Sequence, residues 1–128
     1  MTYSNPPDDR LKDKLILLSR LLQEKKASQV LALDVGIYSS AFEGIILASA
    51  QGKRHSRALA DHLLDHIKKN NLEYLGMEGF QEGEWILLDL NEVIVHIFVH
   101  EARLFYNLEG FWTKGKIIEL NPAGENNV

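Results

Sequence analysis

The segment from Glu84 to Trp112 constrains the fold most strongly, because it holds two apolar runs separated by a very short turn. We expect strands at residues 85–90 and 93–99 that pair antiparallel, followed directly by a helix at residues 101–112. Asp89, His96 and His100 interrupt the apolar block, although an unpartnered buried polar group costs roughly 1–3 kcal/mol. Large aromatic side chains beside a few fixed polar groups are typical of a protein-binding surface.

The rest of the chain predicts an α/β fold. Leucines at helical spacing indicate a helix at residues 10–26, and a second apolar stripe indicates one at residues 53–70. Apolar runs predict strands at residues 30–35, 42–48 and 74–77, and the two that flank the second helix match a right-handed parallel crossover. We therefore expect a five-stranded mixed sheet flanked by helices. The single domain is expected at residues 10–113, between tails at residues 1–9 and 114–128.

Composition excludes several classes of function. The chain has 128 residues, with 14 Lys and Arg against 18 Asp and Glu, for a net charge of −4. An acidic chain binds nucleic-acid phosphates poorly and suits a basic partner. The absence of cysteine excludes disulfides, thiolate catalysis and cysteine-based zinc sites. No apolar run approaches the ~20 residues that span a bilayer, and no signal peptide is visible. We expect a cytoplasmic protein without membrane contact.

Three motifs resemble catalytic or ligand sites only in part. His62 and His66 have the spacing of a zinc protease, but Leu63 replaces the glutamate that would activate water. Gly52 and the two basic residues after it open a helix, yet lack the glycine spacing of a phosphate loop. Asp89 could hold a metal only with a second carboxylate two residues on, where the chain has Asn91. We expect Asp89 to cap the turn, or to accept hydrogen bonds from a basic partner.

The remaining candidates are polar or aromatic residues near the hairpin. His96 shares a strand face with Ile94 and Phe98, and we expect a satisfied structural histidine with Asp89 as its partner across the hairpin. Large aromatic side chains either fill the core or anchor an interface. Arg103 would join such an interface, because it lies one helical turn before Tyr106. These aromatic residues are Trp85, Tyr106 and Trp112.

From about Leu11 to Trp112 the chain resembles the ribosomal silencing factor family, also called Iojap, and five stretches carry this resemblance. They are VLALDV at residues 30–35, RHSRALADHL at 54–63, MEG at 77–79, WILLDLNEVIVHIF at 85–98 and ARLFYNLEGFW at 102–112. The chain departs from the family after the second strand, where residues 49–52 read SAQG instead of Cys or Ser followed by Gly-Thr-Ser. That departure removes a hydroxyl N-cap, worth typically ~1 kcal/mol of helix stability.

The resemblance implies a nucleotidyltransferase-like α/β fold without catalytic carboxylates. It also implies a protein that is not an enzyme and needs no cofactor or metal. Such a protein binds large-subunit ribosomal protein L-fourteen, blocks joining of the small subunit and represses translation when nutrients are short. The family's partner-binding patch would fall on Trp85, Asp89, His96, Arg103, Tyr106 and Glu109.

Other functions and assemblies remain open from the sequence. The alternative is a small metal-dependent nucleotide-binding or nucleotidyltransferase-like enzyme, using Asp34 or Asp89 with a divalent ion. Homodimerisation through an apolar patch also stays open. We expect no direct reading of nucleic acid.

Overall fold

A computed structural model describes residues 8–36, 39, 41–106 and 115–120 of the protein, without the side chains of residues 8, 9 and 104–106. Three helices and six strands lie in this part of the chain. In order they are α1 (Asp8–Glu24), β1 (Ser28–Asp34), β2 (Gly44–Ala50), α2 (Lys53–Lys69), β3 (Gly76–Glu78), β4 (Trp85–Asp89), β5 (Val93–Val99), α3 (His100–Tyr106) and β6 (Lys116–Ile118).

The strands form one mixed sheet in the order β3-β4-β5-β2-β1-β6. The central strands β2 and β5 pair parallel, and all the other neighbours pair antiparallel. The pairings also make β3 run in the same direction as β2, with β4 and β5 between them. The predicted α/β class, the mixed sheet and the antiparallel hairpin of β4 and β5 are therefore confirmed.

The predicted count of five strands is wrong, because β6 forms within residues that the sequence indicated as a tail. This strand pairs antiparallel with β1, placing Ile118 opposite Ala32 and Lys116 opposite Asp34. Three residues are too few to show a period, and the nearby Pro122 and Gly124 predicted irregular chain. The strand forms because β1 offers an open edge and because Ile118 is buried against the core.

Element ends differ from the prediction by a few residues. Helix α1 begins and ends two residues earlier than expected, and α3 is described from His100 to Tyr106, so its expected continuation to residue 112 lies outside the described residues. Strand β1 begins at Ser28 with a bulge before Leu31, where Gln29 has a φ of 49°. Among the described residues, no helix combines the length and apolar character that crossing a membrane requires.

The two faces of the sheet carry different cores. Helices α1 and α2 cover one face with buried leucines such as Leu15, Leu18 and Leu63, which form the larger cluster with the inward side chains of the strands. The other face holds a smaller cluster built around Leu47 and Phe98, against which Trp85 and Ala102 pack. A sheet buried on both sides explains why every residue of β2 is buried.

His55 connects the end of α1 to the start of α2. Its Nδ1 accepts a hydrogen bond of 2.9 Å from the Gln51 amide, and its Nε2 donates to the Lys25 carbonyl at 2.7 Å. The N-cap residue Gly52 is extended and makes no side-chain cap, as expected from the missing hydroxyl. The imidazole therefore joins the two helices where an N-cap side chain is absent.

Glu92 fastens the β4–β5 turn to α1 and to the start of β2. Its carboxylate lies 3.1 Å from Arg10 and 3.3 Å from Lys14, and its carbonyl accepts from the amides of Glu43 and Gly44. Partial burial by itself raises the pKa of the Glu92 carboxyl. Attraction and hydrogen bonds from Lys14 and Arg10 outweigh that effect and hold the pKa below its ordinary value of 4.5.

Gly44→Ala should destabilise the protein, because α1 packs closely on β2 at this position. A Cβ would lie 2.9 Å from Leu15 Cδ2 and 3.3 Å from Leu11 Cδ1, and both leucines are buried. We expect the free energy of unfolding to fall by about 1–3 kcal/mol, the usual cost of overpacking. Denaturant titration measures this, with Gly76→Ala as control because that Cβ would meet no atom within 4 Å. Equal stability of the two variants would contradict the close packing.

Candidate functional site

The β4–β5 hairpin gathers the candidate residues on the smaller-core face of the sheet. Trp85 pairs with Phe98, Leu87 with His96, and Asp89 with Ile94. Because side chains alternate along a strand, all six point to the same side. The predicted site residues Trp85, Asp89 and His96 are thus brought together by the register of a single hairpin.

Three rings form a cluster on this face. The Trp85 and Phe98 centroids are 5.1 Å apart with the rings stacked, and His96 stacks on Phe98 at 6.0 Å. Trp85 Nε1 donates a hydrogen bond of 2.9 Å to His96 Nδ1. Phe98 is fully buried, whereas Trp85 remains half-buried. The indole is therefore held in one orientation while part of it stays accessible.

His96 is a neutral acceptor in this cluster. It is only 7% exposed, and burial lowers its pKa from the ordinary 6.5 to about 4. Its Nδ1 must carry the lone pair that receives the indole proton, so the ring hydrogen lies on Nε2. The predicted partner, Asp89, is wrong: the partner on Nδ1 is Trp85.

Asp89 caps the turn that follows β4, which confirms the first of its two expected roles. Its Oδ1 accepts a hydrogen bond of 2.9 Å from the amide of Asn91, which has a φ of 75°. The Asn91 side chain then donates to Glu73 at 2.9 Å. The carboxylate of Asp89 therefore stabilises the backbone conformation of this turn.

The loop before Trp85 is held by two of the motifs that resembled the family. Gly79 of MEG has a φ of +83°, and a Cβ there would collide with the Trp85 carbonyl oxygen. Ser56 of the second motif donates to the Gly83 carbonyl, and Arg57 donates to the Gln81 carbonyl at 3.0 Å. Sequence reasoning missed this role, although the strand-breaking glycines marked the loop. Together these contacts fix the position at which Trp85 enters the sheet.

Arg103 lies beneath the surface and not on it. The side chain is 6% exposed and donates to the Gln29 carbonyl and, at 3.0 Å, to Ser49 Oγ. Ser49 is the register partner of Phe98, so the guanidinium seats α3 beside the ring cluster. The structure therefore places Arg103 on the same side of the sheet as Trp85, but in a position that supports α3.

Two predicted partner-binding residues receive no side-chain description. Tyr106 ends α3, and its side chain lies outside the described part of the structure, as do Glu109 and Trp112. Their assignment to the patch stays a prediction.

The two histidines on α2 that have the spacing of a zinc protease form contacts with different residues. His62 Nε2 lies 3.2 Å from a Glu24 carboxylate oxygen, while His66 contacts the Asn70 side chain at 3.3 Å. Within residues 8–36, 41–106 and 115–120, no three His, Cys, Asp or Glu side chains converge on a point where a metal ion could bind.

The stretch of chain that carries the ring cluster is acidic. From Asn70 to Ala102 the chain contains seven acidic residues and no Lys or Arg. Exposed carboxylates lie on β3 at Glu78 and beside Trp85 at Glu84. The long interval without Lys or Arg could have indicated this acidic character from the sequence alone. We call the five acidic residues of segment 73–89 the acidic face: Glu73, Glu78, Glu82, Glu84 and Asp89.

His96 should make stability depend on pH. Between pH 6.5 and about 4 the unfolded chain binds a proton at His96 that the folded chain excludes, so stability falls as pH falls. The loss should reach about 2 kcal/mol at pH 5.

Denaturant unfolding at pH 7 and pH 5 measures this effect in wild type and His96→Gln. Glutamine keeps an acceptor for the indole, and the other histidines are common to both proteins. Glu92 contributes its loss mainly below its ordinary pKa of 4.5, outside the measured range from pH 7 to pH 5, and it is common to both proteins. An equal loss in the two proteins would contradict a neutral buried His96.

Comparison with known proteins agrees with the sequence motifs. A family model described as "Ribosomal silencing factor during starvation" matches residues 8–127. The ribosomal silencing factor of Bacillus subtilis is 30% identical over 110 residues, covering 86% of this chain and 93% of that protein. The one from Haemophilus influenzae is 35% identical over 95 residues, covering 74% and 93%. A crystal structure from Bacillus halodurans superposes with a TM-score of 0.74 at 29% identity, covering 84% and 99%. This chain therefore belongs to the family of ribosomal silencing factors.

Proposed function

We propose that this protein binds the large ribosomal subunit through ribosomal protein L-fourteen and blocks association with the small subunit. Translation would thereby be repressed when nutrients are limiting. Family membership supports the general role. The acidic face around a half-buried, immobilised Trp85 is the observation that carries the choice of a basic protein as direct partner.

Charge favours a ribosomal protein over RNA at the acidic face. The five carboxylates of residues 73–89 have no Lys or Arg within that segment of the sequence, and together they repel phosphates. Proteins embedded in ribosomal RNA carry Lys and Arg to neutralise those phosphates, so their exposed surfaces are basic. Complementary potentials speed such an encounter and disfavour wrong partners.

Trp85 is suited to anchor the complex. Its hydrogen bond to His96 and its stacking on Phe98 fix the indole before the partner arrives. A side chain that is already ordered loses less entropy on binding, which improves affinity. We assign direct contact with the partner to Trp85 and, at the edge of the patch, to Asp89. The buried residues His96 and Arg103 support them from inside the protein. Tyr106 and Glu109 complete the proposed patch.

The proposed mechanism is occlusion, in which no bond is made or broken. A factor that binds the large subunit alone weakens subunit joining by the factor 1 + [L]/Kd. At a concentration of 100 Kd, the joined state loses about 2.7 kcal/mol. Repression therefore depends on the abundance of the factor and on its affinity.

The enzyme alternative gains no support from the two carboxylates on which it depends. Asp34 accepts a hydrogen bond from the Gly36 amide at 3.1 Å, as Asp89 does from Asn91. Both side chains thus stabilise turns, and Asn91 replaces the second carboxylate that a metal pair would need.

Co-sedimentation with isolated large subunits tests the proposal. Trp85→Ala should weaken binding by at least tenfold, because anchoring aromatic residues typically contribute 2 kcal/mol or more. Since that variant also removes core packing, the double variant Glu78→Lys and Glu84→Lys provides a second test at exposed positions. It should weaken binding as well, chiefly by slowing association.

The matched control replaces two exposed aspartates on the helices, Asp13→Lys and Asp61→Lys, and changes the net charge by the same amount as the double variant. This control should bind as wild type does, and purified L-fourteen should give the same order of affinities. Subunit joining, followed by light scattering, should be inhibited by wild type and the control only. Equal binding by all variants, or inhibition by a variant that does not bind, would refute the proposal.

A further inference from the structure

The basic residues of the protein are distributed unevenly. Eleven of the fourteen Lys and Arg residues lie in α1, directly after it, or in α2, where they outnumber six acidic residues. Five acidic residues lie between residues 73 and 89, on β3, on β4 and in the segments beside them. A net charge of −4 therefore conceals a region that can attract anions.

The basic residues are concentrated where α1 ends and α2 begins. His55 holds the Lys25 carbonyl at 2.7 Å, which brings Lys25 and Lys26 beside the first turn of α2 and thus beside Lys53 and Arg54. All four of these Lys and Arg residues are exposed. We call these four residues the helix-junction patch.

Two charged residues near this patch along the chain have contacts elsewhere. Glu24, the closest acidic residue along the chain, is directed to His62 at 3.2 Å. Arg57 is excluded from the patch, because it donates to the Gln81 carbonyl.

The helix-junction patch borders the acidic face. A Cβ at Gly83 would lie 3.0 Å from Lys53 Cβ, so the loop that carries Glu82 and Glu84 passes directly beside the start of α2. The sign of the surface charge therefore reverses across this contact. On a ribosomal surface, a basic protein is likewise bordered by RNA phosphates, and the two patterns are complementary.

We propose that Lys25, Lys26, Lys53 and Arg54 bind the phosphate backbone of ribosomal RNA next to the protein partner. This proposal rests on the proposed function, which places the protein on the large subunit. Contacts to phosphates fix position without reading base sequence. They add affinity and orientation to the anchoring by Trp85, and they explain why an acidic protein keeps an exposed basic cluster.

Salt dependence is the signature of such contacts. Each neutralised phosphate adds about 0.7–0.9 to the slope of log affinity against log salt, so four contacts should contribute roughly 3. That slope corresponds to roughly a 60-fold change in affinity between 50 and 200 mM salt.

The experiment replaces the four patch residues with glutamine and measures binding to isolated large subunits across this range of salt. The slope should become shallower by about 3, and binding at 50 mM should weaken at least tenfold. The matched control replaces Lys12, Lys68, Lys69 and Lys116 with glutamine, an equal charge change at exposed positions elsewhere. It should keep the wild-type slope, as should the charge-preserving set of Lys25→Arg, Lys26→Arg, Lys53→Arg and Arg54→Lys.

Two further measurements separate this proposal from the proposed function. Purified L-fourteen without RNA should bind the glutamine patch variant and wild type equally. Ribosomal RNA stripped of protein should bind wild type more tightly than the patch variant at 50 mM salt. Equal binding of the two proteins to this RNA, an unchanged slope on subunits, or weaker binding of the variant to L-fourteen would overturn the RNA contact. Failure of wild type to bind large subunits would instead overturn the proposed function, and the RNA measurement would still decide the patch.

Discussion

Parallel pairing between β2 and β5 is the constraint on which the rest of the structure depends. It joins the chain's first half to the hairpin through seven register pairs, and it places both strands at the centre of the sheet. Central strands must be covered on both faces. Helices α1 and α2 cover one face, while α3 covers part of the other. The β4 end of that second face is left with Trp85 half-buried, and this is where we propose that the partner binds.

Two buried polar residues form hydrogen bonds beneath that surface. His96 accepts the indole proton of Trp85, and Arg103 donates to β1 and β2 from α3. Each satisfied bond avoids the penalty of an unpartnered buried group, and each would leave such a group behind if its partner were removed. His96 and Arg103, both expected at the partner-binding patch, are thus buried beneath the surface that they were expected to form.

Much of the fold followed from the residue pattern, since β5 has the predicted bounds and the hairpin pairs as expected. What failed depended on contacts distant in sequence. Strand β6 exists only because β1 is available beside it. The partner of His96 was ambiguous because Trp85 and Asp89 are both diagonal to it on one face of β4. The turn determines which of them bonds to His96, because the Asp89 carboxylate already accepts a hydrogen bond from the Asn91 amide. Burial of Arg103 likewise depended on the bulge that exposes the Gln29 carbonyl.

The pairing of β6 with β1 has a practical implication for shortening this protein. Cutting the chain at residue 113, where the sequence suggested that the domain ends, would strip β1 of its outer neighbour and uncover a row of unsatisfied amides and carbonyls. Such an edge recruits strands from other molecules. A truncated version would tend to aggregate, and its self-assembly would then be mistaken for a native oligomer.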